Sequence, residues 1–232
     1  MPEISSHALQ KYNTLVRLNP DDPEAHFGLA MAYEESGIHA EAFKEYEQVV
    51  RLNPRHARGH LHLGFAYCRG NETAPAIKKW QKAYEIDPDV YKIFEDPSYK
   101  AYYTRRIEES LATFERPILI RPDDAWAHYQ LAMAYRYFNK KEMALAHLNK
   151  AVQLNSNLWE AYNAAGEIYA ELGQNQFAKL QYQKAIDVNP KFSDTFYNLG
   201  SIFEEEGMVC LLYTSDAADD LLCVDLGGRR II

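Results

Sequence analysis

The sequence predicts an all-α fold, an α-solenoid of stacked antiparallel helical hairpins, and three observations carry that expectation. Prolines fall at Pro20, Pro54, Pro88, Pro122 and Pro190, spaced by 34 residues or its double, with Ser156 in the one vacant place. Small and aromatic residues recur in phase with them, at spacings of three, four and seven that share one helix face. Glycine and asparagine fall where the first helix of each pair must stop, and aspartate stands where a helix must start.

The elements follow in order. Residues 5–18 read as a lone second helix, with Ala8, Tyr12 and Leu15 on its apolar side. Hairpins then begin at 23, 57, 91, 125 and 159, giving units 23–56, 57–90, 91–124, 125–158 and 159–192, and a partial unit spans 193–207. In the first helices, Leu29-Ala30, Leu63-Gly64, Leu131-Ala132, Ala165-Gly166 and Leu199-Gly200 repeat, followed by Tyr33, Tyr67, Tyr135, Tyr169 and Phe203. In the second helices, Ala42, Ala76, Ala144 and Ala178 repeat, each followed four residues later by Tyr46, Trp80, Leu148 or Tyr182. Small residues let helix backbones approach, and a large neighbour fills the space that remains. Gly37, Gly70, Gly173, Gly207 and Asn139 suit left-handed caps, while Asp22 and Asp124 suit N-caps.

One unit departs from the pattern. Residues 91–124 keep the length, but Pro97 interrupts the first helix, Ser110 replaces the expected alanine and Pro117 falls in the second helix. A degenerate repeat is expected there, with a short helix before Asp96 and a longer one after Pro97. The rival reading is a spacer whose length matches by accident.

With these residues in phase, the chain resembles the tetratricopeptide repeat family over residues 5–207. The resemblance implies a right-handed superhelix whose first helices line a concave groove. Both ends read as cut: the first unit lacks its first helix, and the last lacks its second. Continued in register, residues 216 and 219 would bury Asp216 and Asp219 without partners, so the repeat is expected to end near residue 208. Residues 209–232 resemble translated sequencing-adapter sequence, first a transposon end from Cys210 and then a flow-cell adapter from Val224, and are expected to be a disordered, artefactual tail.

Composition narrows the function. The chain is 47% hydrophobic and 25% charged, as in folded proteins, and its formal charge of −8 lacks a basic stripe for nucleic acid. No apolar run is long enough to span a membrane and no secretory signal is visible, so a cytoplasmic location without membrane insertion is expected. No phosphate loop, paired-cysteine site or catalytic constellation occurs, so neither enzyme activity nor a cofactor or metal is expected. His56, His60 and His62 cluster, yet the place of His60 is filled elsewhere by His26, His128, Tyr162 and Phe196, which marks a packing position. Cys68 is expected to be an inert buried thiol, and Glu204-Glu205-Glu206 a solvated face.

The expected function is a scaffold that binds a protein or peptide in the groove. By family resemblance, the second, fifth, ninth and twelfth places of each first helix face it. The candidate contacts are Phe27, Met31, Arg58, Leu61, Phe65, Trp126, Tyr129, Met133, Arg136, Asn163 and Tyr197. Large apolar groups at exposed places mark interaction sites; Arg58 and Arg136 flank the middle while carboxylates dominate both ends, which points to a ligand with an acidic or apolar centre and basic flanks. The lysine–asparagine clamp of chaperone-binding members is absent, since Phe27, Leu61 and Tyr129 occupy its places. Two alternatives stand beside this: the arm of a larger enzyme, such as a protein glycosyltransferase, and self-association through uncapped ends.

Overall fold

Helix starts and stops follow the local chemistry. In the computed structural model, which describes residues 2–206, 208–211 and 222–225 (side chains for 7–206), α1 spans Pro2–Leu18 and α2 spans Pro23–Glu35. Asp22 accepts a hydrogen bond from the Glu24 amide at 2.9 Å, and Pro23 sits in the first turn, where its missing N–H costs nothing. Next come α3 (His39–Leu52), α4 (Ala57–Arg69) and α5 (Thr73–Ile86). A 3-10 turn at Val90–Phe94 precedes α6 (Lys100–Ile120). Then follow α7 (Ala125–Tyr137), α8 (Lys141–Leu154), α9 (Trp159–Glu171), α10 (Asn175–Val188) and α11 (Ser193–Glu205).

The turns within hairpins use left-handed residues at one fixed place. Gly37, Asn71, Asn139 and Gly173 all have positive φ, from 57° to 76°. Gly70 does not: its φ is −73°, so Asn71, one residue on, is the left-handed residue of that hairpin. Asn71 is in register with the other three, which corrects the expectation for Gly70. Gly207 lies outside the described residues.

The described residues form two compact units, the first within 1–116 with 137–139 and the second within 117–136 with the described residues from 140 onward. In the N-terminal unit α2 pairs with α3 and α4 with α5, while α1 packs on α2. In the C-terminal unit α9 pairs with α10, α11 packs on α10, and α8 meets α9. There α7 meets α8 through the stacked rings of His128, Tyr135 and His147.

The core repeats as the sequence does. Ala42, Ala76, Ala144 and Ala178 are buried, and so are Tyr46, Trp80, Leu148 and Tyr182 one turn later. A Cβ placed on Gly64 would lie 2.3 Å from Trp80 Nε1, and one on Gly166 would lie 2.5 Å from Tyr182 Cε1. These aromatics rest directly on the backbone of the facing first helix. Gly166→Val is therefore expected to lower unfolding free energy by about 1–3 kcal/mol in urea titrations, through overpacking.

Two segments depart from the repeat. The degenerate unit has only the 3-10 turn where a first helix would stand, followed by the 21-residue α6. Pro117 lies inside α6 without ending it, and the ladder continues beyond it, with the Arg121 amide bonding to the Pro117 carbonyl at 2.9 Å. In the tail, Met208–Leu211 (β1) pairs antiparallel with Leu222–Asp225 (β2), where disorder was expected. Val209 and Val224, the one β-branched residue of each run, stand opposite each other in the register.

Candidate functional site

The first-helix face of the N-terminal unit is covered from within the chain. Phe27, Leu61 and Phe65 are all buried, which corrects their assignment as exposed groove contacts. Phe27 packs on His56, His62 and Tyr46, its own repeat neighbours. Over Phe65 lie Tyr103 of α6 and Phe94 of the 3-10 turn, and Phe138 stacks on it with rings 4° from parallel. Met31 is half-buried, with its sulfur 3.2 Å from the Tyr46 hydroxyl oxygen. Arg58 is exposed, with its guanidinium 4.8 Å above the Phe27 ring, a cation–π contact.

Glu34 anchors α6 to this face. Its side chain is 1% exposed, yet it meets Arg106 of α6 at 2.7 Å and Arg69 at 3.0 Å. Tyr46 and Tyr102 donate hydroxyl hydrogen bonds to it at 2.8 and 2.6 Å. Burial alone would raise its carboxyl pKa, but His62, Tyr102 and Tyr46 favour the anion and hold it at about 2. His62 is fully buried, bonds Tyr103 at 2.8 Å, and has its pKa lowered by desolvation. The sequence carried a trace of this network, since Tyr102, Tyr103 and Arg106 share one side of a helix. It gave no sign that this side would reach back 68 residues to Glu34.

The corresponding face of the C-terminal unit is more open. Trp126 is 48% exposed and Tyr197 is 72% exposed. Tyr129 is half-buried, with its ring 4.9 Å from that of Trp126. Burial, then the charges of Glu167 and Glu160, push the Tyr129 hydroxyl up to about 12. Met133 and Asn163 are buried, a second correction to the expected contacts. Asn163 accepts from the Thr195 hydroxyl at 2.9 Å and donates to Glu167 at 2.7 Å, tying α9 to α11. Arg136 is committed as well. It bonds Glu171 at 2.6 Å and also binds Glu167, so its charge is spent between α7 and α9.

The other candidates have structural roles. His26, His60 and His128 each place Nε2 2.9–3.0 Å from the carbonyl of the proline six residues earlier, so the shared place is a hydrogen-bonded strut as well as a packing position. His56 caps α4, accepting from the Gly59 amide at 2.8 Å, so the three clustered histidines serve separate partners. Burial pushes the Cys68 thiol up to about 12. Glu204 and Glu205 are exposed, whereas Glu206 pairs with Lys179 at 2.8 Å.

Comparison with known proteins places these hairpins in a described group. Profiles described as "TPR repeat" match residues 6–37 and 166–207, and profiles described as "Tetratricopeptide repeat" match residues 23–56 and 127–158. Together they reach more than half of the chain. The uncharacterized protein ycf37 of Pyropia yezoensis is 35% identical over 92 residues, 37% of this chain and 52% of that protein. Photosystem I assembly protein Ycf3 of Synechococcus sp. (strain WH7803) is 30% identical over 94 residues, 39% of this chain and 54% of that protein. The chain thus spans about half of the length of these relatives. TTC0263, a thermophilic TPR protein of Thermus thermophilus, is 24% identical with a TM-score of 0.44, covering 86% of this chain and 91% of that one. Among the described residues, no helix is long and apolar enough to cross a membrane.

Proposed function

The chain belongs to the tetratricopeptide repeat family, and from that premise we propose a scaffold that holds a partner segment along α7, α9 and α11. The family membership supports a protein-interaction role, one of holding a protein or peptide in place of catalysing a reaction. The observation that carries the choice of face is a contrast in exposure. Trp126 and Tyr197 stand open, whereas Leu61 and Phe65 in the N-terminal unit are covered. Exposed aromatics beside a polar rim are the residue types that dominate interface energetics. Within the expected contact set, the reading keeps Trp126, Tyr129 and Tyr197 and gives Phe27, Leu61, Phe65, Met133 and Asn163 to the core. A cytoplasmic setting belongs to the same proposal.

The test compares a pair of truncations on the first helices of the unit with a pair on its second helix α10. Trp126→Ala with Tyr197→Ala is expected to lose the partner that the unaltered chain retains, by at least about tenfold in affinity. Phe177→Ala with Leu180→Ala removes exposed apolar groups from α10 and is expected to leave binding unchanged. Equal retention by both pairs contradicts the proposal.

A further inference from the structure

We infer that the partner segment held by this face is basic, with lysine or arginine side chains set over Trp126 and Tyr197. The inference rests on the proposed face and names the chemistry of its ligand. Charge in the C-terminal unit is segregated by helix. The first helices α7, α9 and α11 carry Glu160, Glu167, Glu171, Asp194, Glu204 and Glu205 against one cation, Arg136. The second helices α8 and α10 carry Lys141, Lys150, Lys179 and Lys184 against Glu142 and Asp187.

The sequence alone suggests an acidic or apolar centre between basic flanks, because Arg136 falls on the face and looks available. Geometry removes it. Its guanidinium is divided between Glu167 and Glu171, and Lys141 reaches Glu171 at 3.1 Å from α8. What remains toward the ligand side is Glu160, half-buried, with Asp194 and Glu204, both exposed. The Tyr129 ring stands 4.9 Å from that of Trp126, and burial, then the charges of Glu167 and Glu160, raise the pKa of its hydroxyl. Carboxylates beside exposed aromatic rings suit a cation twice over, by direct pairing and by contact with the ring face. An acidic segment would meet repulsion from every uncommitted charge on these helices.

The test uses the full chain and two labelled peptide probes of about twelve residues, one alternating lysine and leucine, the other alternating glutamate and leucine, read by fluorescence anisotropy at two salt concentrations. The lysine probe is expected to bind and the glutamate probe not to bind. Glu160→Gln with Asp194→Asn should weaken the lysine probe roughly tenfold and flatten its salt dependence. Glu142→Gln with Asp187→Asn, which neutralises as many charges on the second helices, should change affinity by less than about twofold. Equal weakening by the two pairs, tighter binding of the glutamate probe, or no binding of the lysine probe overturns the inference. If Trp126→Ala with Tyr197→Ala abolishes binding while Glu160→Gln with Asp194→Asn does not, the basic ligand is wrong and the face stands. If neither pair matters, the face itself is contradicted.

Discussion

Replacing Glu34 with alanine is expected to destabilise the N-terminal unit by about 3–5 kcal/mol, because it strands a buried cation. Arg106 is 4% exposed and already leaves its Nε without a hydrogen-bond partner. Without Glu34 its nearest remaining anion is Glu109 at 3.4 Å, and the hydroxyls of Tyr46 and Tyr102 lose their acceptor. The same network makes stability depend on pH. The carboxyl is held at about 2, against an ordinary value of 4.5 in the unfolded chain. A depressed acid contributes stability above its unfolded pKa and loses it as pH falls through the folded one. The contribution is about 3 kcal/mol at neutral pH, begins to fade below about pH 5, and is gone near pH 2. Urea unfolding of the unaltered chain and of Glu34→Gln, at about pH 7 and about pH 3, measures it. The gap between the two proteins should be narrower in acid.

Truncation of Trp80 to alanine is the second large effect, expected at about 3–5 kcal/mol. Trp80 is 1% exposed, lies on the Gly64 backbone and donates Nε1 to the Leu61 carbonyl at 3.2 Å. Its ring contacts Phe65, Phe114 and Phe138, so the cavity would be shared by α4, α6 and the 137–139 turn. Backbone held apart by the ring-to-glycine contact cannot collapse to fill that space. Trp80→Phe keeps most of the volume and is expected to cost less than about half as much in the same denaturation series.

The repeat was legible because each hairpin solves the same packing problem with the same residue sizes. Alanine at 42, 76, 144 and 178 can be read without knowing what lies across from it. The site was less legible, because exposure at a repeat place depends on what the chain lays over it. Phe65 is covered by Phe94 and Tyr103 of the irregular unit, whereas Trp126 stays 48% exposed. The reach of α6 to Glu34 depends on the irregular stretch 87–99, which has no repeat signature to extrapolate. Arg136 was misread for a similar reason. Its partners are 31 and 35 residues away on α9, and single-helix spacing cannot show that both carboxylates converge on it. Charge segregation between the first and second helices of the C-terminal unit, by contrast, is visible in the sequence once the hairpins are phased.

Photocrosslinking decides where the partner lies. With benzoylphenylalanine at Trp126 or Tyr197, irradiation should attach the bound partner to the chain, and the same residue at Phe177 should attach none. Adducts formed from Phe177 alone would contradict an account in which α7, α9 and α11 carry the guest.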